Sequence, residues 1–151
     1  DDGRTIPLVL AIGNHEVRDD SSPKLEDRSP WYVGLFGRQG PNIYHEFHVG
    51  DNAVWFLLDT GHLVPHQGEQ SEWLDRRLNA NQNIKYKFAS YHVPLYPTHR
   101  PYSGEESKLG RKVWGPLFDR YGLTVAFEHH DHVFKRTKPL KDNKADEQGT
   151  I

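Results

Sequence analysis

The apolar residues of this chain fall in short runs, separated by long polar stretches. Ile6–Ile12, "IPLVLAI", is nearly continuous and of strand length, which predicts a strand buried on both faces. It stops at Gly13, and "GNHE" follows. "VRDDSSPKLEDRSP" is polar and proline-bounded, so it reads as a loop. "WYVGLFG" fits one or two helical turns. Ile43–Val49 alternates, Ala53–Leu58 is a second apolar run, and "GDN" between them predicts a β-hairpin. Ser71–Asn79 predicts a helix, with Ser71 as cap and Trp73, Leu74 and Leu78 on one face. Lys85–Tyr91 predicts a strand that delivers His92, followed by a proline-rich loop. Lys108–Tyr121 has the spacing of one helix, through Leu109, Val113, Leu117 and Phe118. Leu123–Phe127 is a short strand, and "GTI" at the end reads as the start of another. The order defines an α/β chain.

Composition narrows the chemistry. The 151 residues suffice for one domain with a core, 35% are hydrophobic, and no apolar run approaches the roughly 20 residues of a membrane helix. The chain opens nearly in mid-strand, without a signal-peptide pattern and without Met, so it reads as part of a longer protein. There is no Cys, which excludes disulfides, thiolate metal sites and Cys nucleophiles. With 19 basic and 21 acidic residues and no basic stripe, no nucleic-acid partner is expected. No membrane partner is expected either. The chain does hold 10 His, so any metal chemistry rests on His, Asp, Asn and Glu.

Three polar clusters share one address, the C-terminal end of a predicted strand: Asn14-His15-Glu16, His92, and His129–His132. Open α/β sheets bind ligands at such ends. Imidazoles and an amide oxygen suit borderline divalent metals. In extended backbone His130 and His132 would share a face, to bind one ion or two neighbouring ions. Against this, a lone His after a strand is more often a loop residue. It is the coincidence of three clusters that favours a site.

The ordered set resembles the calcineurin-like metallophosphoesterases, most closely the purple acid phosphatase-like branch. Gly13-Asn14-His15-Glu16 matches the GNHE motif, "YHVPLYP" contains the H-x-P histidine, and His130-Asp131-His132 matches GHxH. "EQSEWLDRRL" resembles the family's Q-x-x-WL helix. The resemblance implies an incomplete domain over residues 1–151, part of a four-layer αββα sandwich lacking N-terminal core strands and a C-terminal strand. It implies two divalent or trivalent ions in the intact parent, Fe, Zn or Mn. Asn14, His92 and His130 would hold one ion, and His132 would help to hold the other. His15 would face the phosphate and serve as proton donor. His99 and Arg100 would contact substrate. The implied reaction is hydrolysis of phosphate monoesters, on a phosphorylated small molecule or protein. Phosphodiester or nucleotide hydrolysis is the nearest alternative, and a catalytically incomplete metal- or partner-binding domain is the other. Members of this branch are often exported, which is compatible with an extracellular or periplasmic parent.

Two departures stand out. The family's upstream aspartate motifs have no counterpart in the 12 residues before Gly13. The glycine of GHxH is His129, which should either strain the turn or add an imidazole.

Overall fold

The computed structural model describes residues 3, 8–19, 21–36 and 42–151. Its centre is a four-stranded mixed sheet in the order β1 (His45–Val49), β2 (Ala53–Leu57), β3 (Tyr86–Tyr91) and β4 (Val125–Glu128). β1 and β2 form the expected antiparallel hairpin, closed through Gly50 at φ 61°. β2, β3 and β4 run parallel. Parallel neighbours need crossovers, and helices supply both. α3 (Glu69–Ala80) links β2 to β3, and α4 (Glu105–Val113) with α5 (Gly115–Tyr121) links β3 to β4.

Strand alternation divides the sheet into two unlike faces. Val54 and Phe56 of β2, with Ala89 and Tyr91 of β3, are buried against Leu74 and Leu78 of α3 and Trp114, Phe118 and Leu123. The opposite face carries aromatic rings. Trp55 lies 4.9 Å from Phe88 and stacks at 5.2 Å on Phe127. This face is only partly covered, with Phe127 and Tyr86 each 41% exposed. The described residues thus form an α/β arrangement with helices on one face of the sheet, consistent with a metallophosphoesterase-type fold. No described helix is long and apolar enough to cross a membrane.

Four expectations need correction. Ile6 and Pro7 lie outside the described residues, but Leu8–Ile12 forms no strand; Leu8 is 73% exposed and only Ile12 is buried. Among the described residues no strand pairs with it. A run without ladder partners is held instead by single bonds, such as Tyr32 Oη donating to the Leu10 carbonyl at 2.8 Å. Ser71 does not cap α3. The helix starts after Gly68, and Ser71 Oγ donates back to the Gly68 carbonyl at 2.9 Å. The single helix expected over Lys108–Tyr121 is two, because Pro116 lacks the N–H that an unbroken helix needs and suits a first turn. The stretch read as loop contains α1 (Leu25–Arg28), which precedes α2 (Pro30–Leu35). The polar tail contains a second hairpin, β5 (Leu140–Lys141) and β6 (Lys144–Ala145), turned by Asp142 and Asn143 at φ 50° and 60°. The final residues do extend along β4, with Ala126 N–H donating to the Ile151 carbonyl at 2.8 Å.

His66, which no motif explains, is fully buried and packs against Trp114 with ring centroids 4.5 Å apart and a 37° tilt. Neither ring nitrogen makes a well-formed hydrogen bond, though Glu106 Oε2 stands 3.2 Å from Nδ1. Burial pushes the imidazole down to about 4. The ordinary value applies in the unfolded chain, so protons favour unfolding. This contribution to stability is complete above about pH 6.5 and is lost as the pH falls toward 4. Urea unfolding should show wild type losing about 2 kcal/mol more than His66→Leu between pH 7.5 and 5. Equal losses in the two proteins would show that the ring charges without penalty.

Candidate metal centre

The three polar clusters meet. His92 follows β3, His130 lies just beyond β4, and Asn14 sits in the tight turn at Gly13–Glu16. Asn14 Oδ1 is 2.7 Å from His92 Nε2, and His130 Nδ1 is 2.9 Å from the same nitrogen. The two imidazoles cross at 68°, with centroids 4.7 Å apart.

The local chain explains this approach. Gly13 N–H donates to Glu16 Oε2 at 2.9 Å, and Glu16 N–H returns to the Gly13 carbonyl. Glu16 therefore braces the turn that carries Asn14. A β-carbon on Gly13 would lie 2.8 Å from His92 Nδ1, so only glycine lets the backbone pass beneath that ring. His129 N–H donates to the His92 carbonyl at 3.1 Å, which ties the loop after β4 to the end of β3.

The chemistry of this donor set fits one cation. Nε2 of His92 carries at most one proton, yet it faces both an amide oxygen and a second imidazole nitrogen. Two bonds of roughly 2.0–2.1 Å to one ion, at angles near 90–110°, separate their donor atoms by about 2.9–3.4 Å. The His92–His130 separation lies at the short edge of that range, and the Asn14–His92 separation falls just below it. Burial and the neighbouring imidazoles His130, His62, His129 and His15 lower His92 to about 4. His130 is also lowered, by burial and then by Arg100. Both shifts favour the neutral imidazole, the form that ligation requires. A second cation does not fit in the same way. Among the described residues no three His, Cys, Asp or Glu side chains gather as a ligand group.

The remaining candidates are placed less centrally. His15 is exposed, near enough to His92 to depress its basicity. His132 is exposed as well. The expectation that His130 and His132 share a face of extended backbone is overturned: both are left-handed, at φ 64° and 52°. Histidine tolerates that region better than most residues, at a cost of order 1–3 kcal/mol each. His129, in the motif's glycine position, is not itself left-handed; its Nδ1 lies 2.8 Å from the Tyr91 carbonyl. Arg100 Nε lies 3.3 Å from Asp131 Oδ1, and the His99 N–H donates to Asp131 Oδ2 at 3.4 Å. These contacts tie the proline-rich loop to the His130–His132 turn, while the His99 ring is exposed.

Sequence reasoning passed over His62. It sits in the turn after β2, and its ring meets His92 edge-to-face at 5.3 Å. The signal was available, since Asp59–His62 is a fourth polar cluster at a parallel strand end. Asp59 is fully buried. Its carboxylate accepts the N–H groups of His62, Leu63 and Val64 at 2.9, 2.8 and 2.7 Å.

The turn that carries Asn14 and the ends of the parallel strands β3 and β4, which carry His92 and His130, thus bring three donor atoms together on an α/β sheet. The chain is homologous to purple acid phosphatases and to the CPPED1 phosphatase, which are calcineurin-like metallophosphoesterases. It is 24% identical to purple acid phosphatase 15 of Arabidopsis thaliana, over 97% of this chain and 28% of that protein. It is 28% identical to the serine/threonine-protein phosphatase CPPED1 of Homo sapiens, over 85% of this chain and 42% of that protein. It is 26% identical to the probable inactive purple acid phosphatase 27 of Arabidopsis thaliana, over 93% of this chain and 25% of that protein. The chain thus spans well under half the length of these relatives. No family model matches it.

Proposed function

We propose that the chain carries one half of the metal centre of a metallophosphoesterase, and that the intact parent hydrolyses phosphate monoesters on a dinuclear site. The observation behind this is the convergence of Asn14 Oδ1, His92 Nε2 and His130 Nδ1 from the Gly13–Glu16 turn and the ends of β3 and β4. An ion there, whether Fe, Zn or Mn, supplies Lewis acidity and a bound water of lowered pKa. Asn14, His92 and His130 would hold it. His132 is assigned to the second ion, in company with residues that this chain does not contribute. His15, exposed beside His92, would meet the phosphate and give a proton to the leaving oxygen. His99 would contact the substrate, and Arg100 would do so on leaving Asp131.

The parent, supplied with Zn, Mn or Fe, should hydrolyse p-nitrophenyl phosphate faster than bis(p-nitrophenyl) phosphate. His15→Ala should lower kcat by roughly 10²–10⁴-fold. Faster turnover of the diester would assign the parent to the phosphodiesterase alternative.

A second reading has its own support. The donor set of Asn14, His92 and His130 contains no carboxylate, and among the described residues no three His, Cys, Asp or Glu side chains are grouped to hold a metal. On that reading the chain is a metal-binding domain without turnover, and the isolated 151 residues are expected to be poorly active or inactive.

A further inference from the structure

The turn after β2 is built with more care than a connection between a strand and a helix requires. Asp59 gathers three successive N–H groups. Arg28 clamps the same turn from outside, its guanidinium donating to the His62 carbonyl at 2.8 Å and the Leu63 carbonyl at 3.2 Å. Thr60 Oγ1 accepts the Val93 N–H at 3.1 Å, which latches the turn to the residue after His92. Next to Arg28, Ser29 Oγ donates to the Glu16 carbonyl at 2.6 Å. The junction of α1 and α2 therefore grips the Asn14 turn and the His62 turn together.

What this framework presents is the His62 ring. His92 is enclosed by the Gly13 backbone, by His130 at 4.7 Å and by His62 at 5.3 Å and 61°. Two of these walls belong to the metal centre; His62 is the third. Its Nε2 stands 3.4 Å from Thr60 Oγ1, a contact within its own turn.

We infer that His62 is a positioning residue for the metal centre: its ring packs edge-to-face on His92 and fixes the plane in which Nε2 faces Asn14 and His130. The inference rests on the metal-centre reading. An imidazole free to rotate about its χ2 torsion would spend much of its time with Nε2 turned away, and outer groups that orient a ligand typically govern about 10- to 100-fold in metal affinity.

The test is Co²⁺ titration of the 151-residue chain, followed by visible absorption with Zn²⁺ competition, for wild type, His92→Ala, His62→Ala and His62→Phe. Urea unfolding without metal accompanies each. His62→Ala should bind about 10- to 100-fold more weakly, with a changed Co²⁺ spectrum and little change in metal-free stability. His62→Phe keeps a ring at the same place and should recover most of the affinity. If His62→Ala binds as wild type does while His92→Ala does not, the inference fails and the metal centre stands. If His62→Phe is no better than His62→Ala, the nitrogen matters and positioning by the ring is wrong. If wild type takes up no metal, the metal-centre reading falls and this inference falls with it.

Discussion

Asp59→Ala should cost about 3–5 kcal/mol in urea unfolding, the largest effect on stability expected of any single change at this end of the sheet. The carboxylate is fully buried and serves three backbone N–H groups within 2.9 Å. Alanine leaves all three without an acceptor, and each buried orphan donor costs roughly 1–3 kcal/mol, less where water can enter. Gln70 adds nothing to this loss, because it holds the main chain of residue 59, which alanine retains. Its side chain accepts from the Asp59 N–H at 2.8 Å and donates to the Asp59 carbonyl at 3.0 Å. Asp59→Asn keeps one acceptor oxygen and should cost less than half as much. A loss below 1 kcal/mol for Asp59→Ala would mean that the turn holds without its carboxylate, and that Arg28 and Thr60 suffice.

Much of the sheet could be read from residue order. The β1–β2 hairpin was legible because alternation on both sides of Gly50-Asp51-Asn52 leaves one register that buries Val54 and Phe56 together. β3 was legible because it ends where its apolar side chains end. The first apolar run misled, since hydrophobicity records a capacity for burial and not the presence of a partner strand. The break between α4 and α5 was written in Pro116, but helical spacing on both sides of it disguised the stop. The tail hairpin was written in Asp142-Asn143, two residues that accept left-handed backbone. Its strands, of two residues each, are too short for periodicity to reveal.

The site was legible in part, for a reason that can be stated. Asn14, His92 and His130 each follow an apolar run, so strand-end logic alone placed them at one edge of the sheet. Their meeting within 2.9 Å depends on Gly13 passing beneath His92 and on the link from His129 to His92, which no spacing rule contains. The left-handed backbone at His130 and His132 was hidden, because the argument from alternation assumes an extended chain. Asp131 was likewise hidden; a buried acid that reaches Arg100 and the His99 N–H is a tertiary fact.

Removing the two central imidazoles together should have the largest effect on metal. His92 Nε2 lies between the other two donors, so His92→Ala takes away the shared vertex, and His130→Ala leaves Asn14 alone. An amide oxygen by itself is a weak ligand for borderline metals. The double variant should therefore bind at least 100-fold more weakly, and its fold should survive, because His92 and His130 are only half-buried at the rim of the sheet. The direct test is metal content after equilibration with Zn, Mn or Fe and removal of free ion, for wild type beside the His92→Ala, His130→Ala pair. One ion per wild-type chain and none in the double variant is the result this account predicts. Equal metal in both proteins, or none in either, would contradict it.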